Sequence, residues 1–235
     1  MLGPNQFVSS KQLFEADWLR ARKEGVTATQ VAKASTPAGF EQAVRDWFED
    51  FVEIDNPYMK FGRDMEPVLA KFVHERHGIL PNDWLLANAE TPWHLATPDG
   101  LSLDHTVIAE IKTTGKEWNS IPLQYRRQMQ WQLHVTGAEK CLFVWMLRID
   151  VEGVYAPAWF EPQTVWVYRD EDMIDELKDT AEKLWRGFTL DRKDVNLLRV
   201  ADKYVADLRA TQKPDLWKDY YKLESKILAQ KVGKR

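Results

Sequence analysis

Pro98-Asp99-Gly100 places an aspartate in a turn, and the run Val107-Ile108-Ala109-Glu110-Ile111-Lys112 follows a few residues later. Pro-Asp-Gly is strong turn chemistry and the second run is apolar around its charges, so the pair predicts a hairpin with Asp99 at its start or bend. In a strand, alternate residues share a face and the residue between them points the other way. Glu110 and Lys112 therefore share one face, and Ile111 turns into the core. Neither Asp99 nor Glu110 is expected inside the hydrophobic core. Two carboxylates brought together make a hard, oxygen-rich site for a magnesium-type cation. A lysine beside them can position a water and neutralise developing negative charge. Such a set suits phosphodiester hydrolysis. Asp104 could stand in for Asp99, but it lacks the Pro-Asp-Gly context and is expected in a turn.

Other elements must hold this hairpin in place. Ser120 and Pro122 are helix-start signals and Gly137 is a stop signal. On the helix between them, Tyr125, Gln128, Gln132 and Val135 fall along one stripe. Glutamines on a semi-apolar stripe require something polar opposite them, and Arg126 and Arg127, beside the stripe, could meet phosphates. Upstream, Glu66 precedes Pro67, which is tolerated in a first helical turn, so Glu66 is expected at or just before a helix start. Near the N-terminus, Gly25 ends one helix and residues 27–34 can begin another. Helix-start N–H groups, the Arg22 guanidinium and the Thr29 hydroxyl would form an anion cradle there. Thr27 and Thr29 would serve equally well as plain helix caps.

Pro98-Asp99 followed by Glu110-Ile111-Lys112 resembles the PD-(D/E)xK nuclease signature. The Tyr125-x-x-Gln128 helix, the Gly62-x-x-x-Glu66 stretch and the Trp18-x-x-x-Arg22…Val26-Thr27-Ala28-Thr29 segment extend the likeness. Together, over roughly residues 14–150, they resemble the lambda-exonuclease and YqaJ-type viral recombinase family. The resemblance implies an α/β fold with a restriction-endonuclease-like core, a central mixed β-sheet flanked by helices. It implies that Asp99, Glu110 and the carbonyl of Ile111 hold metal, with Lys112 positioning the attacking water. Gln128 would buttress the site, Glu66 would add an acidic group, and Gln132 is left unassigned. Arg22 and Thr29 would hold a 5′-phosphate, although the family carries serine where this chain has Thr29. The implied activity is magnesium-dependent 5′-to-3′ digestion of double-stranded DNA from its ends, with manganese able to substitute. The 3′ overhangs would serve a single-strand annealing protein in recombination. The resemblance further implies a three-subunit ring and a phage or prophage gene. An endonuclease on the same core and an inactive DNA-end-binding module are the alternatives.

The chain has 235 residues, enough for one α/β domain with a substantial core. We expect a nuclease domain over 1–190 and a helical C-terminal extension over 191–235, with helices at 194–211 and 215–231. Helices are also expected at 11–23, 40–54, 67–77 and 171–187, and strands near 83–89, 93–97, 101–103, 107–113, 140–149 and 164–169. A net charge of −4 argues against a protein that coats DNA without specificity, but not against a nuclease with local basic tracks. The single cysteine, Cys141, excludes an internal disulfide and a multi-cysteine iron–sulfur site. Most of the eleven tryptophans should serve packing, Trp47, Trp145 and Trp185 among them. His74 and His77 have a metal-capable spacing but no third ligand, and read as a solvated helix end. His94 and His105 flank the hairpin. With neither an apolar leader nor a membrane-length apolar run, the protein is expected to be cytoplasmic.

Overall fold

The computed structural model describes residues 6–48 and 56–189. The chain divides into two compact units, Met1–Ala28 with Glu53–Ile174, and Thr29–Val52 with Asp175–Arg235. The expected extension over 191–235, its two helices and the end of the 40–54 helix lie outside the described residues.

The first unit is built on two sheets. The larger one has strands β3 (Leu80–Pro81), β6 (Gly100–Leu101), β7 (Val107–Thr114), β8 (Lys140–Val151), β9 (Val154–Pro157) and β10 (Gln163–Tyr168). Its order is β10-β8-β7-β6-β3, with β9 pairing the far end of β8. β7 and β8 run parallel, Glu110 opposite Phe143, while every other pair in this sheet is antiparallel. Two parallel strands need a crossover, and helix α5 (Leu123–Thr136) supplies it. The smaller sheet, in the order β1-β4-β5-β2, contains β1 (Gln6–Ser10), β2 (Val26–Thr27), β4 (Trp84–Ala87) and β5 (His94–Ala96). Trp18, on helix α1 (Glu15–Ala21), packs there with Leu85, Ala87 and Leu95.

Helix α4 (Pro57–His77) covers one face of the larger sheet. Its start is specified locally: the Asn56 side chain accepts the Met59 N–H at 3.0 Å, and Pro57 occupies the first turn. Its end is specified by Gly78, whose φ of 69° closes the last turn through an N–H to the His74 carbonyl. Leu69 and Val73 then pack on Ala109, Ile111, Leu142, Val144 and Met146. Pro67 lies inside this helix rather than in its first turn. The missing N–H removes one rung, which costs stability, but burial of Leu69 and Val73 carries the helix through it. Glu66 is consequently a mid-helix residue, not a helix-start residue.

The second unit contains helix α2 (Ala28–Ala34) from its second residue on, helix α3 (Pro37–Phe48), and helix α6 (Glu171–Thr189) from Asp175 on. Trp47 stacks on Phe188 with ring centroids 4.1 Å apart and meets Trp185 edge-on, so both tryptophans serve packing as expected.

Candidate active site

Alternation along β7 separates packing from chemistry. Ala109 and Ile111 face α4, whereas Glu110 and Lys112 face α5. The crossover runs α5 back along β7. As the strand advances from Glu110 to Lys112, the helix presents Gln132, then Gln128, then Tyr125. Gln132 and Gln128 are one turn apart, about 6 Å along the axis, and the Glu110 carboxylate lies between them. Gln128 Nε2 donates to Glu110 Oε1 at 2.5 Å, and Gln132 Nε2 donates to Oε2 at 2.6 Å. Lys112 Nζ also donates to Glu110 Oε1, with the Tyr125 ring 5.7 Å from the ammonium. Glu110 is only 1% exposed. The sequence expectation that it stays out of the core is therefore wrong: α5 covers it, and three donors replace the water that burial removes.

Asp99 reaches the same place from the strand before. It directly precedes β6, whose Gly100 lies opposite Ala109 on β7. A Cβ on Gly100 would stand 3.0 Å from both the Ala109 Cβ and Ile79, so glycine is needed for close strand packing. Asp99 Oδ2 accepts the Ile111 N–H at 2.6 Å. Among the described residues, its Oδ1 has no hydrogen-bond donor. Burial pushes the Asp99 carboxyl well above the usual carboxylate range. Glu110, and to a smaller extent Glu66, push it the same way, against Lys112 and the Ile111 N–H. Burial alone would lower the Lys112 ammonium, but Glu110 and Asp99 outweigh it and hold Lys112 above the ordinary lysine range. Lys112 is therefore a fixed cation, suited to neutralising charge rather than to taking up a proton.

The donor set fits a hard divalent cation. Crowded carboxylates, one of them with an uncommitted oxygen, are relieved by positive charge between them. Among the described residues no three His, Cys, Asp or Glu side chains converge as a metal cage. A cation held by one or two carboxylates, water and substrate phosphate is the usual arrangement for magnesium. Glu66 is exposed on α4, and its charge reaches Asp99.

The remaining candidates separate from this cluster. Asp104 accepts from Ser102 Oγ at 2.6 Å and from the Thr106 N–H and hydroxyl, which draw its carboxyl down to about 2. It is a turn residue, as expected. His74 is exposed, and His77 packs on Phe72 and Trp166. His94, on the smaller sheet, meets His134 of α5 at 2.9 Å, and His105 lies against Phe7. On α5, Arg126 is exposed and Arg127 half-buried. Arg22 stacks over the Trp18 ring at 4.4 Å in a 3-10 turn, Arg22–Glu24. Thr29 is exposed in the first turn of α2. Arg22 belongs to the first unit and Thr29 to the second.

Sequence reasoning left Gln132 unassigned, although its place on the Tyr125–Gln128 stripe was the signal for it. Gln130, a further buried glutamine on α5, instead ties the helix to the next elements through the Tyr168 carbonyl and the Asp170 N–H.

The family model of the YqaJ-like viral recombinase domain matches residues 17–139, more than half of the chain. Among solved structures, LHK-Exo in complex with dAMP is similar at a TM-score of 0.57 and 25% identity, over 73% of this chain and 91% of that one. A structure of the alkaline exonuclease LHK-Exo from Laribacter hongkongensis gives 0.57 and 22% over 83% and 98% of the two chains. A phage related exonuclease from Haemophilus somnus 129PT gives 0.55 and 16% over 70% and 93%. The last two likenesses are of fold. No curated protein sequence matches the chain.

Proposed function

The chain belongs to the YqaJ-like viral recombinase domain family, and from that membership and the site geometry we propose a magnesium-dependent 5′-to-3′ exonuclease. It would act on ends of double-stranded DNA and leave 3′ single-stranded overhangs. The observation that carries this reading is the Glu110 carboxylate, held by Lys112, Gln128 and Gln132 beside the uncommitted oxygen of Asp99. A metal ion bound there would polarise the scissile phosphate and supply hydroxide at neutral pH.

Each residue then has a distinct task. Asp99 and Glu110 would hold the cation, with the Ile111 carbonyl as a further oxygen. Lys112, kept charged by its carboxylate neighbours, would position the attacking water and neutralise the developing charge. Gln128 and Gln132 would each donate from Nε2 to one Glu110 oxygen and so fix the carboxylate, which can only accept. Glu66 would add negative charge from α4. Arg22 and Thr29 would receive the 5′-phosphate, with Arg126 and Arg127 along the DNA track. Manganese should replace magnesium, since both prefer oxygen donors. An annealing protein as consumer of the overhang and a trimeric assembly are part of the same proposal. Among the described residues, no helix is long and apolar enough to cross a membrane.

The test uses linear duplex labelled at the 5′ or the 3′ end of one strand, and a covalently closed circle. The 5′ label should appear first as mononucleotide, the 3′ label should persist in long products, and the circle should survive. Cutting of the circle would favour the endonuclease reading. Binding of ends without cutting would favour the inactive module, against which the complete Asp99, Glu110 and Lys112 set counts.

A further inference from the structure

Beyond Lys112 the strand β7 runs into an open cleft of about 710 Å³ that the proposed hydrolysis does not use. Such a volume falls in the range of small-ligand sites. Tyr125 borders both places, with its ring 5.7 Å from the Lys112 ammonium and its side chain also lining the cleft. Trp118 continues that wall, 5.3 Å from Tyr125 and stacked on Phe143 at 5.9 Å. Opposite in sequence but on the same cleft, Tyr58 from the start of α4 meets Tyr155 from β9, with centroids 5.2 Å apart and planes at 42°. The Arg148 guanidinium lies over both rings, 4.6 Å from Tyr58 and 5.7 Å from Tyr155.

Two features make this more than ordinary packing. Tyr58 is 49% exposed, so part of its side chain stays open to solvent beside Arg148. Among the described residues no carboxylate pairs with Arg148, although Asp150 lines the same cleft. Asp150 is engaged elsewhere, accepting the Gly153 N–H at 2.7 Å in the β8–β9 turn. Lys116 adds a second cation on the cleft rim. An exposed tyrosine with a half-buried partner, beside a stacked, carboxylate-free guanidinium, matches the two surfaces of a nucleotide, the base and the phosphate.

We propose that this cleft is a nucleotide subsite for single-stranded DNA, with a base against the Tyr58–Tyr155 pair and the adjoining phosphate on Arg148. The proposal rests on the nuclease reading for the identity of the strand, and it places that strand where Tyr125 leads away from the carboxylates. Stacking on an aromatic face tolerates any base, so the subsite would hold the strand without choosing sequence.

The experiment measures fluorescence anisotropy of a fluorescein-labelled ten-nucleotide DNA strand titrated with the full chain in EDTA. A strand of equal length and charge, built from abasic tetrahydrofuran residues, is the comparison. The wild type should bind the abasic strand roughly ten- to a hundredfold more weakly, the scale of losing one or more stacked bases. Tyr155→Leu should bind the base-bearing strand about as weakly as the abasic one. Tyr155→Phe, which keeps the ring, should keep the preference, and Arg148→Ala should weaken both strands together. Equal binding of the two strands by the wild type, no measurable binding of either, or an unchanged preference in Tyr155→Leu would each overturn the proposal. The same wild-type preparation is tested on linear duplex with magnesium. Digestion without base discrimination sinks only the subsite, whereas discrimination without digestion sinks only the nuclease reading.

Discussion

Gln132 is the residue whose replacement best separates holding the fold together from aiming the chemistry. It is 1% exposed, its Nε2 donates to Glu110 Oε2 at 2.6 Å, and its own Oε1 is buried with no donor among the described residues. Gln132→Leu removes both features at once. Losing a hydrogen bond to a buried carboxylate costs about 1.5–3 kcal/mol. Removing an unsatisfied buried acceptor returns about 1–3 kcal/mol. The two nearly cancel, and in a chain of this size each remaining kcal/mol moves the melting temperature by only about 2–4 °C. The melting temperature in EDTA should therefore stay within several degrees of the wild type. Catalysis has no such offset. With one oxygen released, the Glu110 carboxylate can rotate, and misplacement on the order of 1 Å can cost about a hundredfold in rate. The assay pairs differential scanning fluorimetry in EDTA with initial rates of nucleotide release at saturating magnesium. A loss of ten- to a hundredfold in kcat with near-normal melting supports the reasoning. A rate within twofold of wild type would show that Gln132 only fills space. A variant that melts far below wild type would show that the orphaned oxygen carries no such cost.

Asp99→Asn keeps an acceptor for the Ile111 N–H but removes the charge. A carboxyl raised by folding favours the folded state while protonated and loses that contribution as pH rises through its folded value. In EDTA, wild-type stability should therefore fall relative to Asp99→Asn as pH rises above the ordinary value of 3.8. The magnesium-induced gain in melting temperature should grow over the same interval and vanish in the variant; parallel curves for the two proteins contradict this. Lys112→Ala should lose roughly a hundredfold or more in turnover, the scale of one charge-stabilising group. Retention of rate at neutral pH would remove Lys112 from the reaction. Arg22→Ala should slow digestion of 5′-phosphorylated duplex ends roughly ten- to a hundredfold, the worth of a charged hydrogen bond, and affect 5′-hydroxyl ends much less. Thr29→Ser should be close to silent, and equal wild-type rates on both kinds of end would dismiss the phosphate cradle.

The parts of the site that were legible in sequence are those governed by local rules. Strand alternation placed Glu110 and Lys112 on one face and Ile111 on the other, and Pro122 and Gly137 bounded α5 as their cap positions show. The glutamine stripe correctly implied a polar partner. Depth was not legible, because alternation gives a face but not what covers it, and Glu110 proved to be buried beneath α5. Local rules place Pro67 in a first turn, whereas tertiary packing of Leu69 and Val73 sustains α4 on both sides of it. Asn56-Pro57 was the better start signal. Two-residue strands such as β2 and β3 owe their existence to partners distant in sequence, so no periodicity announces them. The aromatic cleft draws on residues from 58 to 155 and has no sequence signature at all.

The most direct test of the central claim is release of mononucleotides from 5′-phosphorylated linear duplex by the wild type and by Asp99→Asn, each with magnesium and with EDTA. Asp99→Asn should remain folded, since the Ile111 N–H keeps its acceptor. The expected result is progressive release by the wild type in magnesium alone, and none by Asp99→Asn in either condition. Release in EDTA, or release by folded Asp99→Asn at the wild-type rate, would contradict it.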